Sequence, residues 1–256
     1  PKVSSTPQEE VDRLVAQLAD RKDAWVRTTN ERRVQLLEAC IVRTEAVAEE
    51  WVRAACKAKG LAFDGPRAGE EWLGGPMTTI RNLRQLADAV RANGRPGLPE
   101  LTERDDGQWV AKVFPSDWFD KLLFTGFSAE VWVEPGQEPT QGAAYRAKTD
   151  EKSYPEGKVS LVLGAGNVAS IGPMDALYKL FVEDEVVILK TNPVNAYLQP
   201  YWEEAFRPRI DEGVYFVVRG GADIGSHLVH HEQVDTIHMT GSDRTHDAIV
   251  CAATPR

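Results

Sequence analysis

The sequence predicts an α/β fold, a doubly wound Rossmann-like parallel sheet preceded by an α-helical N-terminal segment and a short bridging β region. Between residues 159 and 242, short runs rich in Val and Ile alternate with longer segments whose apolar residues recur every three or four positions. Strands buried on both faces read as continuous apolar runs and need helical crossovers. A parallel sheet covered by helices on both faces is therefore the economical arrangement.

Three amphipathic helices are predicted before the sheet. The first begins at the run 6–9, where Thr6 is the expected cap and Pro7 the expected first helical residue. The second begins near Thr29 and ends at Gly60. The third spans residues 78–92 and is closed by the Asn-Gly pair that follows.

Residues 94–157 are predicted to bridge the helices and the sheet. The runs VWVE (131–134) and AAYRAK (143–148) are typical of short strands, and residues 117–124 of a helical turn. We interpret this segment either as an exposed hairpin that meets a partner subunit or as a surface arm without a partner. The predicted division is residues 1–157 for the helices and the bridging or oligomerisation segment, and 158–256 for an incomplete nucleotide-binding α/β domain.

Four strands are predicted in the second half, in the runs VSLVLGAG, VVILK, VYFVVRGG and TIHMTG. Ligands of such sheets bind at the carboxyl ends of the strands. The candidate site therefore consists of the four turns 164–167, 190–193, 219–221 and 240–242. A further helix is expected from Asp243 to Ala253.

Composition argues against two classes of protein. A net charge of −9 argues against a protein that holds nucleic acid over a broad surface. No apolar run approaches the roughly 20 residues that span a bilayer, so a soluble, cytoplasmic protein is expected. The three cysteines are scattered and have no metal-ligand spacing, which favours reduced and mostly buried thiols, Cys251 included.

The run from Gly164 to Ala169 matches the pattern G-x-G-x-x-A of dinucleotide-binding turns. An ordinary fingerprint would place an acidic residue at the end of the next strand, but that strand ends in Lys190. The helix after the glycines also begins late, near Ile171. The ordinary Rossmann fingerprint is therefore not the favoured interpretation.

The order and spacing of the four turns resemble the cofactor-binding region of the aldehyde dehydrogenase superfamily. The resemblance covers residues 160–249 and rests on a strand ending in Asn167, a strand ending in Leu189-Lys190, a glycine-rich turn and Thr240-Gly241-Ser242. It implies an oxidoreductase that uses NAD or NADP. The substrate class would be an aldehyde or an acyl compound, and the full-length protein would be a homo-oligomer, either a dimer or a tetramer.

The resemblance also implies roles for individual residues. Asn167 would be catalytic, because its amide could stabilise the oxyanion of a tetrahedral intermediate, although an Asn also caps tight turns. Lys190 would bind the adenosine ribose; taken alone, a Lys at a strand end is a solvated charge. Gly221 and Gly225 would allow close approach of the cofactor, or serve a turn that needs positive φ.

Thr240, Gly241 and Ser242 would complete the cofactor site, and Ser242 would also be an ordinary helix N-cap. Pro193 stands where the family often has a glutamate that binds the ribose hydroxyls. Without that carboxylate a 2′-phosphate is not repelled, so the cofactor is NAD or NADP. Met239 and His246 depart from the residues that the family usually has at those positions.

The implied reaction is oxidation of an aldehyde to a carboxylic acid through a thioester on a cysteine that lies beyond residue 256. Two alternatives stay open: an acyl-CoA reductase of the same superfamily, and a nucleotide-binding or assembly module without catalysis. His227, His230 and His231 share a helical face, but no cysteine completes a ligand set, so no metal is predicted. The acidic runs 183–185 and 203–204 are expected to be solvated.

Overall fold

Two long helices open the part of the chain that the computed structural model describes, namely residues 4–94, 96–97, 100–137, 139 and 154–251. Helix α1 spans Gln8–Val26 and helix α2 spans Asn30–Lys59. The predicted ends of α2 are confirmed: the Thr29 hydroxyl accepts a hydrogen bond from the Arg32 amide, and Gly60 ends the helix with a φ of 68°.

The start of α1 differs from the expectation. Pro7 occupies the N-cap position and no side chain caps the helix, so the assignment of Thr6 as the cap and Pro7 as the first helical residue is wrong. Thr6 instead forms two hydrogen bonds with the backbone of Arg219, the residue that follows the parallel-sheet strand 215–218. Its amide donates to the Arg219 carbonyl at 2.9 Å, and its hydroxyl accepts from the Arg219 amide at 3.0 Å.

The third helical region is longer than the sequence predicts. Helix α3 spans Ala68–Trp72 and a π-helical segment spans Leu73–Met77, before helix α4 at Thr78–Arg91. The predicted end of α4 is confirmed, since Asn93 and Gly94 both have positive φ, 51° and 72°.

A three-stranded antiparallel sheet forms the bridging region, with order β1-β2-β3. Its strands are β1 at Glu100–Glu103, β2 at Trp109–Phe114 and β3 at Ala129–Trp132, and helix α5 spans Trp118–Leu123. The helical turn predicted at 117–124 is thus present, and the strand predicted in VWVE is present but begins and ends two residues earlier. The run AAYRAK lies outside the described residues. The side chain of Asp120 is buried and pairs with Arg81 of α4, which attaches α5 to the helices.

The second half contains the predicted parallel sheet. Its strands are β4 at Val159–Leu163, β5 at Val186–Lys190, β6 at Tyr215–Val218 and β7 at Thr236–Met239. Between and after them lie α6 at Ile171–Phe181, a 3₁₀ helix at Pro193–Leu198, α7 at Gln199–Ala205, α8 at Arg207–Asp211, α9 at Ala222–Val229 and α10 at Asp243–Val250.

The strand order β6-β5-β4-β7 makes the sheet doubly wound. The chain proceeds from β4 to β5 to β6 in one direction and then returns across the sheet to β7, so right-handed crossovers place α6 to α8 and α9 on opposite faces. Helix α1 packs beside α9 against β4, β5 and β6. Helices α2 and α4 pack over α7 and α6 on the other side. The predicted fold class is confirmed, whereas the domain boundary at residue 157 stays a prediction.

One hydrophobic core joins the first two helices to the sheet. It includes Val15 and Leu18 of α1, Leu37 of α2, and Leu161 and Ile188 of the sheet. Gly157 lies directly against α1, since a Cβ there would come within 2.3 Å of the Lys22 backbone carbon. Only glycine fits this approach.

Of the acidic run 183–185, Glu183 is exposed as expected, but the other two residues are not solvated. Asp184 and Glu185 are buried; the Arg33 guanidinium lies 2.5 Å from Asp184, and the Lys179 ammonium 2.9 Å from Glu185. Arg33 is itself fully buried and also donates to the Trp25 carbonyl at 2.6 Å. Burial of these carboxylates therefore depends on cations brought to them by the fold.

Cys40 and Cys56 are buried, as expected, but Cys251 is exposed, so the expectation of a buried thiol is wrong for that residue. Cys251 follows α10, and no residue of that helix is buried. Across the described residues, no helix is both long and apolar enough to cross a membrane.

We expect Arg33→Met to lower the free energy of unfolding by about 3–5 kcal/mol, because it leaves the Asp184 carboxylate buried without its guanidinium partner. Urea denaturation measures the change. Arg13→Met is the matched control, since it removes an exposed guanidinium paired with Glu10 and should change stability by less than about 1 kcal/mol. Equal losses in the two variants would contradict the importance of the buried pair.

Candidate functional site

An open cavity of about 630 Å³ lies at the carboxyl ends of the parallel strands. The six residues predicted to bind a cofactor all line it: Lys190, Gly221, Gly225, Thr240, Gly241 and Ser242. The chain crosses back over the sheet beside β4, so loops on the two sides of β4 leave in opposite directions and open a crevice there. Their convergence follows from this topology; their role in binding stays a prediction.

Lys190 is the buried cation of this cavity. It is the last residue of β5 and its side chain is only 8% exposed, so it is not the solvated strand-end charge that its sequence position alone favoured. Among the described residues, none makes a hydrogen bond or an ion pair with its ammonium. Burial lowers the pKa of Lys190 below its ordinary value, and the negative charge of Asp223 partly opposes that shift.

The glycines next to Lys190 keep the cavity open without unusual backbone angles. Gly221 is the N-cap of α9 with a φ of −81°, and Gly225 lies inside that helix. The alternative that they serve a turn with positive φ is therefore wrong. A Cβ on Gly225 would lie 4.0 Å from Cε of Lys190. The position that requires glycine is instead Gly220, because a Cβ there would come within 2.4 Å of Cγ1 of Ile224.

The turn 240–242 follows β7 at the opposite wall. The Thr240 hydroxyl donates to the Asp175 carboxylate at 2.8 Å, and the Thr240 amide donates to the Leu163 carbonyl at 3.4 Å. Ser242 is the N-cap of α10 and accepts a hydrogen bond from the Thr245 amide, which confirms its predicted position in that helix. The start of α10 thus lies beside the cavity.

Asn167 is not brought into the cavity. It is exposed on the turn that connects β4 to α6. This turn passes close to the loop after β5: a Cβ on Gly166 would lie 3.0 Å from the Asn192 side chain. Because α6 begins at Ile171, the glycines do not open the helix as an ordinary dinucleotide fingerprint would require.

Two residues that support the site were not identified from the sequence. Asn195 is buried and its amide donates to the carbonyls of Ala165 and Gly166, at 3.1 and 3.3 Å. Asp175 accepts from Thr240. An acidic residue within the mostly apolar helix α6 is a signal that could have identified Asp175, whereas the run around Asn195 carries no such local signal.

The charge of the cavity wall is one-sided. Lys190 and Arg244 line it, and none of the lining residues is an Asp or a Glu. Pro193 and Met239, which depart from the expected family pattern, also line it. In a chain with a net charge of −9, this wall is suited to an anionic ligand.

The histidines near α9 form polar contacts on the other side of the helix. The Nε2 atoms of His227 and His231 lie 2.5 and 3.5 Å from one carboxylate oxygen of Asp12 in α1. Within the described ranges, no group of three or more His, Cys, Asp or Glu residues could hold a metal ion. We interpret the contacts as links between α1 and α9.

A protein-family model described as the aldehyde dehydrogenase family matches residues 154–256. A comparison with curated protein sequences found no match. The fold is similar to that of aldehyde dehydrogenase C from Pseudomonas syringae complexed with NAD+ and octanal, with a TM-score of 0.63 and 18% identity. That similarity covers 99% of this chain and 42% of the other.

Two further solved structures have a similar fold. For the glyceraldehyde-3-phosphate dehydrogenase of Methanocaldococcus jannaschii complexed with NADP, the TM-score is 0.59 at 14% identity, over 98% of this chain and 45% of the other. For the Mycobacterium tuberculosis aldehyde dehydrogenase complexed with NAD+, the TM-score is 0.61 at 16% identity, over 98% of this chain and 42% of the other.

The chain spans less than half the length of each of these structures. At these identities the likeness is one of fold, and the family match falls on the part of the chain that contains the parallel sheet and all four turns. Residues 154–256 thus match the aldehyde dehydrogenase family model, and the described part of the chain has the fold of these solved structures.

Proposed function

We propose that the cavity binds NAD or NADP and that the chain is the cofactor-binding part of an enzyme that oxidises an aldehyde to a carboxylic acid. The observation that carries this proposal is Lys190, a residue only 8% exposed, whose ammonium opens onto the cavity without a hydrogen bond or an ion pair from the described residues. Removing most of the water around a charged group without giving it a partner is unfavourable. A ligand that supplies hydroxyl or phosphate oxygens removes that penalty.

The rest of the wall supports a dinucleotide. The starts of α9 and α10 lie at the cavity, and the unpaired N–H groups of a helix start favour a phosphate. Lys190 would bind the adenosine ribose, and Gly225 leaves room beside it. When bound, the nicotinamide ring supplies the hydride acceptor of the reaction.

The residues that line the cavity are compatible with both NAD and NADP. Pro193 presents no carboxylate to the cavity, so a 2′-phosphate would meet no repulsion from that position. The structures of similar fold contain both kinds of cofactor, NAD+ and NADP.

Asn167 is proposed to act on the substrate and not on the cofactor. Its exposed amide lies on the turn after β4, outside the cavity lining, and can donate to an oxyanion formed beside the cofactor site. By the resemblance, the attacking cysteine belongs to sequence beyond residue 256. Cys251 is not assigned that role, because it follows a helix that lines the cofactor cavity.

We also propose that the bridging region takes part in a homo-oligomer. Large apolar side chains are exposed there, including Trp118, Leu122, Phe127 and Trp132, which are 73%, 66%, 72% and 54% exposed. Contiguous exposed apolar surface is typical of sites that meet another protein surface. All of β1 and β3 is likewise exposed.

We expect Lys190→Met to weaken NADH and NADPH binding by about tenfold or more, because a hydrogen bond to a charged group is lost. Quenching of tryptophan fluorescence on titration measures the affinity. Thermal stability should not fall, since the substitution removes a buried charge. Lys57→Met, which removes an exposed charge on α2, is the control and should leave the affinity unchanged.

The same cavity predicts a pH dependence. Burial lowers the pKa of Lys190, so its positive charge is lost at a lower pH than that of an exposed lysine. Affinity for the dinucleotide should therefore fall as the pH is raised into the alkaline range. In Lys190→Met this alkaline decrease should be absent, and its persistence would contradict the assignment.

We expect Gly225→Leu to separate binding from stability. A larger side chain would extend into the space beside Cε of Lys190 and weaken dinucleotide binding by about tenfold or more. Replacing a glycine inside α9 also raises helix propensity by about 0.8 kcal/mol, so the melting temperature should not decrease. Unchanged affinity in a folded Gly225→Leu variant would argue against a ligand next to Lys190.

A further inference from the structure

Residues 240–251 are held to the rest of the described chain by two hydrogen bonds, both made by Thr240. Its amide donates to the Leu163 carbonyl at 3.4 Å, and its hydroxyl donates to the Asp175 carboxylate at 2.8 Å. The first is long, and the second is short and made to a carboxylate, which makes it the stronger. No residue of α10 is buried, so packing adds little to the attachment of this segment.

The backbone of Asp175 is held in place by the packing of its helix. It belongs to α6, which packs against β4, β5 and α4, and its neighbours Ala176 and Leu177 are in the core. The carboxylate oxygen that accepts from Thr240 also lies 3.5 Å from Nε2 of His238 in β7. One oxygen of Asp175 thus contacts both the outer strand and the turn that follows it.

We propose that Asp175 is a positioning residue that fixes the turn 240–242 at the wall of the cofactor cavity. Asp175 does not line the cavity, whereas all three residues of the turn do. Its effect on a ligand would therefore pass through Thr240. This proposal rests on the proposed cofactor function of the cavity. The hydrogen bond between Thr240 and Asp175 is present whether or not the cavity binds a cofactor.

The first test compares dinucleotide affinity among variants. Asp175→Ala and Thr240→Val should each weaken NADPH and NADH binding by about tenfold, and the double variant should be no weaker than either single variant, since both remove the same bond. Asp175→Asn keeps an oxygen that can accept from Thr240 and should retain part of the affinity. Asp20→Ala, which removes an exposed carboxylate of α1, should bind like the unaltered chain.

The second test needs no ligand. Amide hydrogen exchange over residues 240–251 should accelerate in Asp175→Ala and in Thr240→Val, while exchange in α9 stays unchanged. A general loss of stability would accelerate exchange in both segments and would overturn the positioning role.

The two tests distinguish failure of the proposed cofactor function from failure of the positioning role of Asp175. An unaltered chain that binds neither dinucleotide overturns the proposed cofactor function. An unaltered chain that binds, together with an Asp175→Ala variant of equal affinity or unchanged exchange in residues 240–251, overturns the positioning role of Asp175.

Discussion

The parallel pairing of β4 with both β5 and β7 is the constraint on which the rest of the molecule depends. Parallel neighbours end at the same edge of a sheet, so the turns after these strands converge there although they lie far apart in sequence. The return of the chain from β6 to β7 then separates the loops and opens the crevice beside β4. The cavity is thus a consequence of strand order.

The two amino-terminal helices complete this sheet by covering it and by neutralising charges that it buries. Helix α1 covers one face beside α9, and α2 supplies Arg33 to the carboxylate of Asp184. Asp184 has a positive φ of 67° in the turn between α6 and β5. The same residue forms part of this turn and pairs with Arg33 of α2. This arrangement ties the amino-terminal helices to the strand that ends in Lys190.

Lys190 illustrates why a binding cavity differs from a core. Its aliphatic stem is buried like the rest of β5, yet its ammonium lacks the carboxylate partners that Arg33 and Lys179 have nearby. A buried charge without such a partner is unfavourable in the free protein and favourable once an oxygen-rich ligand is bound. The proposed cofactor site is therefore a place where the fold leaves a charge incompletely satisfied and open to a ligand.

The sequence by itself determined the features that depend on neighbours in the chain: the apolar runs of the four strands, the Thr29 and Gly60 ends of α2, and the alternation of strands with helices. Only the tertiary structure decided the burial of Asp184, the exposure of Cys251 and the contact between Asp175 and Thr240. Periodicity and capping act over a few residues, whereas Arg33 and Asp184 are 151 positions apart. Their meeting depends on how helices pack on a sheet, and no local pattern encodes it.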